Sequence, residues 1–379
     1  MAGGRRAAGR RRRGRLVVAA RAGCGVITAD FEANPVSSPS WRVCVAPMMD
    51  WTDRHCRYFH RLLAPSARLY TEMVTSGAVI HGDRERLLGF DPAEHPVALQ
   101  LGGSEPDDLA EAARIGAGFG YDEINLNCGC PSDRVQKGRF GACLMNEPAR
   151  VRDCLAAIGE AVSVPVTVKT RIGVDDNDSE AFLHRFVETV AESGVETFVI
   201  HARKAWLSGL SPKQNREVPP LDHARVRRLA ERFPGLRIVM NGGIERPDQV
   251  LVELGHVDGV MLGRAAYQNP WVLAELEHRL GGAGGASTRA EAVAAMIDYA
   301  FEQRERGVRL ASIARHMLGL FHGQPGARAW RRLLSQRMHL DGAGPELLGE
   351  ALARVSGPPE RGAGSGALRP AQNRKMLLT

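Results

Sequence analysis

Eight short β-rich runs, each followed by an amphipathic stretch, recur between residues 41 and 280 and leave few architectures open to the chain. The runs are WRVCVA (41–46), RLYTE (68–72), PVALQL (96–101), YDEINLN (121–127), PVTVKT (165–170), ETFVIH (196–201), LRIVMN (236–241) and VDGVMLG (257–263). Helical periodicity fills the gaps at 53–64, 76–88, 105–118, 147–161, 179–193, 223–232, 246–254 and 270–280. Thr52 is positioned to cap the first of these, Ser104 with Pro106 the third, and Pro247 opens the seventh. Eight βα units over this length predict an α/β fold, a (β/α)8 TIM barrel over 40–282. A doubly wound sheet fits less well, because no Gly-x-Gly-x-x-Gly opens a helix after the first strand. GGAGGAS (281–287) marks a boundary, beyond which four helical stretches with short breaks predict a small all-helical bundle over 288–355. Residues 356–379 are low in complexity and are expected to form a flexible tail.

The net charge of +7 is unevenly placed. Residues 1–29 hold eight arginines and no acid, and the remainder carries 42 basic against 43 acidic residues. The basic balance therefore belongs to an Arg-rich extension, expected to be disordered over 1–39, which either attaches weakly to polyanions or is dispensable. A second basic cluster lies within folded sequence, where residues 303–340 contain eight arginines and a single acid, Glu305. Seven cysteines without a regular framework, no apolar leader and no run of about 18 apolar residues point to a reducing compartment, with the cytoplasm as the expected location and no membrane partner.

In a barrel the chemistry collects at the C-terminal ends of the strands. Those ends are polar here: Ala46, Pro47 and Met48 at the first, Glu72 at the second, Gln100 in the third, Asn125 and Asn127 in the fourth. Lys169 and Arg171 end the fifth, His201 and Arg203 the sixth, Asn241, Gly242 and Gly243 the seventh, Gly263 and Arg264 the eighth. The last two turns, NGGI and LGRA, let backbone N–H groups approach a phosphate, with Arg264 adding a guanidinium; tight turns needed only for geometry are the plainer account. A lysine among inward-facing residues needs an anionic or electron-rich neighbour. Lys169 suits either a Schiff base with a carbonyl substrate or an electron-accepting ring. Gln100, Asn127 and His201 offer hydrogen bonds to the carbonyls of a planar heterocycle, which favours a flavin, although His201 also suits a purely structural place on the rim.

Taken in order, VAPMMDWTDRHCRYFHRLL, YTEMVTSGAVIHGD, HPVALQLGGSEP, GYDEINLNCGCPSDRVQKGRFGACLM, VPVTVKTRIGVDD, VIHARKAWLSGLSPKQNREVPPLD, NGGI, DGVMLGRAAYQNPW and RHMLGLFHGQPGARAWRRLLS cover nearly all of 41–340. This ordered set closely resembles the flavin-dependent tRNA-dihydrouridine synthases, and among them the bacterial A subfamily. The resemblance implies FMN held by Ala46, Pro47, Met48, Gln100, Lys169, His201, Asn241, Gly242, Gly243, Gly263 and Arg264. It implies NADPH as reductant and a D-loop uridine of tRNA as substrate, with positions 20 and 20a expected for the subfamily. Cys130, the cysteine of the Gly-Cys-Pro motif, matches the family's catalytic thiol, and Asn127, Arg171, Arg203, Arg328 and Arg331 fall on the substrate side. The barrel is then the FMN-binding domain, the 288–355 bundle the tRNA-binding domain, and the protein is expected to act as a monomer without a metal.

The three cysteines of EINLNCGCPSDRVQKGRFGACLM do not make a zinc site, because Cys128 and Cys130 are one residue apart, Cys143 is a lone third, and no nearby His completes the set. One thiol suffices for the implied chemistry. Hydride delivered to C6 of a uracil sends charge toward C5 and O4, so an acid is needed at C5, and thiols stay mostly protonated at neutral pH yet donate far more readily than hydroxyls. Cys128 and Cys143 are expected to pack, and Lys137 and Arg139 lie either on a loop over the substrate or on a solvated surface. Arg328, Arg331 and Arg332 are spaced to share one helical face toward RNA, whereas Trp330 between them suits either stacking on a nucleotide or, as the more ordinary role, a core or interdomain place. Two other functions fit parts of this pattern: an FMN barrel acting on a small molecule of dihydroorotate or enoate type, and a non-catalytic RNA-binding barrel. The first has no need of the arginine-rich bundle, and the second would take up no FMN.

Overall fold

The computed structural model describes residues 41–282 and 284–356. The extension expected over 1–39 lies outside them, as does the expected tail apart from Ser356. Eight parallel strands close into a barrel in sequence order: β1 (Val43–Val45), β2 (Arg68–Thr75), β3 (Val97–Gly102), β4 (Glu123–Cys128), β5 (Val166–Arg171), β6 (Thr197–His201), β7 (Arg237–Asn241) and β8 (Gly259–Leu262). β8 returns to pair with β1, with Val43 opposite Val260 and Val45 opposite Leu262. This is the α/β barrel that the alternating runs predict.

Strand side chains alternate between two faces, and here the two faces form two separate cores. Val45, Leu69, Leu99, Leu126, Val168, Phe198, Ile200, Met240 and Leu262 point outward and pack with the helices in one large cluster. Cys44, Ala46, Tyr70, Ala98, Val199, Val239 and Met261 point inward and form a second, smaller one together with Trp41. Each fully buried aliphatic side chain in the outer layer contributes roughly 1.5–3 kcal/mol.

Local rules account for most helix ends. Pro106 and Pro247 each stand at the start of their helices, Pro106–Gly118 and Pro247–Glu253. Two expected caps differ. The first helix, Arg54–Leu63, is capped by Asp53, whose carboxylate accepts from the Cys56 amide, while the Thr52 hydroxyl turns to the backbone of Met48. At the third, Glu105 takes the cap position without a side-chain hydrogen bond, and Ser104 precedes it. The stretch expected as one helix over 76–88 is two, Ser76–His81 and Arg84–Leu88, because Asp83 caps the second after Gly82 ends the first.

Beyond the barrel lie the helices Arg289–Glu305, Leu310–Ala314, Ala327–Arg337 and Glu346–Ser356, with a 3-10 turn over Arg315–Met317. This bundle docks on the first barrel helix. Arg315 Nη2 and His316 Nε2 approach the Asp53 carboxylate at 2.5 and 3.0 Å, and Tyr58 stacks on Tyr299 with ring centroids 3.9 Å apart. Burial alone would raise the Asp53 carboxyl, but the hydrogen bonds from His316, the Cys56 amide and Arg315 outweigh it and hold the group well below the usual carboxylate range. Trp330 is fully buried and donates its indole N–H to the Met317 carbonyl at 3.0 Å, so it belongs to the core of the bundle.

Candidate active site

The sequence places a Cys-Gly-Cys-Pro turn directly after β4, and the fold holds that turn from every side. Asn127 Oδ1 accepts from the amides of Gly129 and Cys130 at 3.1 and 3.0 Å. Arg171 Nε donates to the Gly129 carbonyl at 2.8 Å, the Ala142 amide donates to the Cys130 carbonyl at 2.9 Å, and Gln136 Nε2 donates to the Pro131 carbonyl at 2.8 Å. Cys130 is part-exposed, and its sulfur lies 3.5 Å from Ser132 Oγ. Cys128, two residues earlier, is fully buried in the outer core, and Cys143 turns its thiol to the Phe140 carbonyl at 3.1 Å. Lys137 and Arg139 are exposed beyond the turn.

Gln100, Asn127, Lys169 and Asn241 meet in the upper barrel. Asn127 Nδ2 donates to Gln100 Oε1 at 2.9 Å, and Lys169 Nζ donates to Asn241 Oδ1 at 3.1 Å. Asn241 spends its own amide nitrogen on the Met261 carbonyl at 2.8 Å, which fixes the oxygen toward Lys169. Burial, with a smaller push from Arg171, pulls the Lys169 ammonium down to about 7, against a weak opposing pull from Cys130. His201 is lowered well below the usual histidine value by burial and by the cations Arg171, Lys169 and Arg203, against a smaller opposing pull from the Arg203 backbone, and among the described residues its buried Nδ1 has no aligned hydrogen-bond partner.

The phosphate-type corner is built by β7 and β8. Gly242 and Gly243 have φ of +112° and +68°, so this turn needs glycine for its backbone conformation. Gly263 precedes the short helix Arg264–Gln268, and no atom lies within 4 Å of where a Cβ on it would point. Arg264 Nη1 pairs with Glu217 Oε1 at 2.6 Å, and Arg203 Nη1 reaches the backbone carbonyls of Glu217 and Pro219. Ala46 is buried and donates its amide to the Leu262 carbonyl at 2.8 Å; Pro47 and Met48 follow, half-buried, at the end of β1.

Arg171 is 5% exposed and commits its guanidinium to carbonyls: Gly129 on one side, Lys204 and Asn215 on the other, at 2.8, 3.1 and 2.9 Å. In this position it joins the Cys130 turn to the loop after β6. Arg328 and Arg331 lie apart from the barrel network, exposed on the helix Ala327–Arg337. Sequence reasoning passes over Glu217 and Asn215, which organise the loop after β6, because nothing local identifies the partner of a residue in a long loop. It also passes over Glu123, although the period-two pattern Glu123, Asn125, Asn127 puts all three on the inner face of β4.

Likeness to known proteins agrees with this geometry. Residues 44–356 match the family described as Dihydrouridine synthase (Dus). A tRNA-dihydrouridine(20/20a) synthase of Xanthomonas campestris pv. campestris is 58% identical over 322 residues, covering 85% of this chain and 96% of that protein. Proteins of the same description from Vibrio parahaemolyticus and Salmonella typhimurium are 57% and 55% identical, over 318 and 329 residues, covering 83% and 86% of this chain and 97% and 98% of their own lengths. The matched span runs from β1 through the last helix of the bundle, and on that footing the chain belongs to the dihydrouridine synthase family.

Proposed function

We propose that this protein reduces D-loop uridines of tRNA to 5,6-dihydrouridine, at positions 20 and 20a, using FMN with NADPH as reductant. The observation that carries the reading is the pairing of a gripped, part-exposed Cys130 with a cation-rich barrel mouth whose His201 Nδ1 has no aligned partner among the described residues. That mouth fits a flavin. His201 and Lys169 offer polar atoms with no carboxylate opposite them among the described residues, the Gly242–Gly243 turn admits a close backbone approach, and Arg264 supplies charge for a phosphate. FMN would then be held by Ala46, Pro47, Met48, Gln100, Lys169, His201, Asn241, Gly242, Gly243, Gly263 and Arg264. When bound and reduced, it supplies the hydride that C6 of the uracil receives.

The chain's own residues do the rest. Cys130 holds a proton at Sγ and delivers it to C5 as charge develops there. Asn127 and Arg171 fix the height of its turn, so the sulfur does not follow the base as it enters. Lys169, which burial draws down to about 7, takes up or keeps its proton as negative charge accumulates beside it. Arg203, and Arg328 and Arg331 on the bundle, provide positive charge for the RNA backbone around an extruded uridine. The relatives' description as tRNA-dihydrouridine(20/20a) synthases supports the choice of positions, and their coverage of the helical bundle favours tRNA over a free pyrimidine.

The test is to incubate the FMN-loaded protein with NADPH and an unmodified tRNA transcript and to map dihydrouridine by position. Product at 20 and 20a is expected. Turnover of dihydroorotate or an enoate without any tRNA product would overturn the proposal.

A further inference from the structure

A single chain of hydrogen bonds runs up the inside of the barrel to Cys130. The Cys130 amide donates to Asn127 Oδ1 at 3.0 Å; Asn127 Nδ2 donates to Gln100 Oε1 at 2.9 Å; Gln100 Nε2 donates to Asn125 Oδ1 at 2.7 Å. Below these, Asn125 Nδ2 donates to Thr167 Oγ1 at 2.7 Å, and Thr167 Oγ1 donates to Glu123 Oε1 at 2.5 Å. All of these side chains are buried, and Glu123, Asn125 and Thr167 are completely so.

The direction of this chain is not free. Its upper end is a pair of backbone N–H groups, which can only donate, so the atom of Asn127 facing them must be the oxygen. Its lower end is a carboxylate that only accepts, also receiving Tyr70 OH and Trp41 Nε1 and facing Arg68 at 2.9 Å. Between two ends of fixed sense, every amide has one orientation. If Asn127 flipped, its NH2 would confront the amides of Gly129 and Cys130, donor against donor, and the turn would lose that hold.

We infer that Glu123, Thr167 and Asn125 are positioning residues for the Cys130 thiol, acting from the barrel floor by reinforcing, through Gln100, the sense that the Gly129 and Cys130 amides impose on Asn127. Each amide NH2 spends one N–H on this chain and keeps a second, so the two ends together settle which atoms Gln100 and Asn127 can present at the mouth. The effect on turnover rests on the uridine-reducing reading above. The effect on the thiol does not.

The test cuts the chain at two links with substitutions of similar size, Thr167→Val and Asn125→Leu, and keeps the hydroxyl in Thr167→Ser. Iodoacetamide labelling of Cys130 is followed by peptide mass spectrometry in the flavin-free full-length protein, with Cys143 as an internal reference and melting temperatures as the check on folding. The expected result is a three- to tenfold change, on the order of one hydrogen bond, in the Cys130 rate relative to Cys143 in Thr167→Val and Asn125→Leu, with Thr167→Ser close to the parent. In tRNA assays the same two variants lose kcat and keep KM. If one variant melts early, the other decides alone. An unchanged Cys130 rate in a well-folded variant overturns the inference. A parent protein that makes no dihydrouridine overturns the proposed function and leaves the labelling result standing.

Discussion

The two ends of the barrel interior are both charged, and they are finished in opposite ways. At the floor, Glu123 meets Trp41, Tyr70 and Thr167 by hydrogen bonds and Arg68 by charge, while the guanidinium groups of Arg68 and Arg237 each lie 4.4 Å from the centre of the Trp41 ring. The Arg68 guanidinium is close to Glu123 without good hydrogen-bond alignment, so it is held by charge and by the indole face. At the mouth, the charged neighbours of His201 among the described residues are cations, Lys169 has a neutral amide for a partner, and Glu217 is the acid that reaches Arg264. A buried charge matched by protein groups is structure. A half-buried cation left to neutral partners is a place for something else, and here the fold sets that place beside the part-exposed cysteine of the Cys-Gly-Cys-Pro turn.

The contrast predicts that substitutions at the two ends fail differently. Cys130→Ser should lower dihydrouridine formation by about 10²–10⁴-fold, the usual worth of a positioned acid, with tRNA affinity and melting temperature unchanged. Position-resolved dihydrouridine analysis and a binding titration check it. At the floor, Arg68→Met leaves Glu123 buried without its opposing charge and should cost about 3–5 kcal/mol of stability, read from a urea melt. Equal stability would erase the distinction between the ends. Arg264→Ala should weaken FMN binding by about 10–100-fold through loss of a charged contact, with little change in stability because its Glu217 pair is exposed at the surface.

The smallest effect carries a sign. Lys169 titrates near 7 when folded and 10.5 when unfolded, so between those values the unfolded chain holds a proton that the folded chain lacks. Stability therefore rises with pH across that window. Lys169→Met removes the dependence, and in flavin-free protein it should stabilise by roughly 1–2 kcal/mol below pH 7, the gain fading as pH approaches 10. Thermal melts at several pH values check this, and a gain that grows with pH would contradict the assignment.

Much of the fold and of the mouth is legible from residue order alone, for identifiable reasons. Strands buried on both faces read as short β-rich runs, and their C-terminal residues necessarily converge, so the positions of Gln100, Asn127, Lys169, His201 and Asn241 along the chain suffice to gather them at one mouth. Trp330 reads as core between exposed arginines, and its helix does turn it inward. The cap of the first helix falls one residue later than the sequence suggests, since Thr52 and Asp53 are both competent and only the geometry of Met48 separates them. Glu123 escapes notice because an acid at the start of a strand ordinarily faces solvent, and its partners Trp41, Tyr70 and Thr167 come from three other segments. The Arg264–Glu217 pair escapes for a related reason, joining residues 47 positions apart through a loop.

The central claim is that the mouth is built around a flavin, and fluorescence titration of the flavin-free protein with FMN tests it most directly. One FMN per chain is predicted, with affinity reduced by Arg264→Ala and Lys169→Met and preserved in Thr167→Ser. Failure of the parent protein to take up FMN, or uptake indifferent to both mouth substitutions, would contradict it.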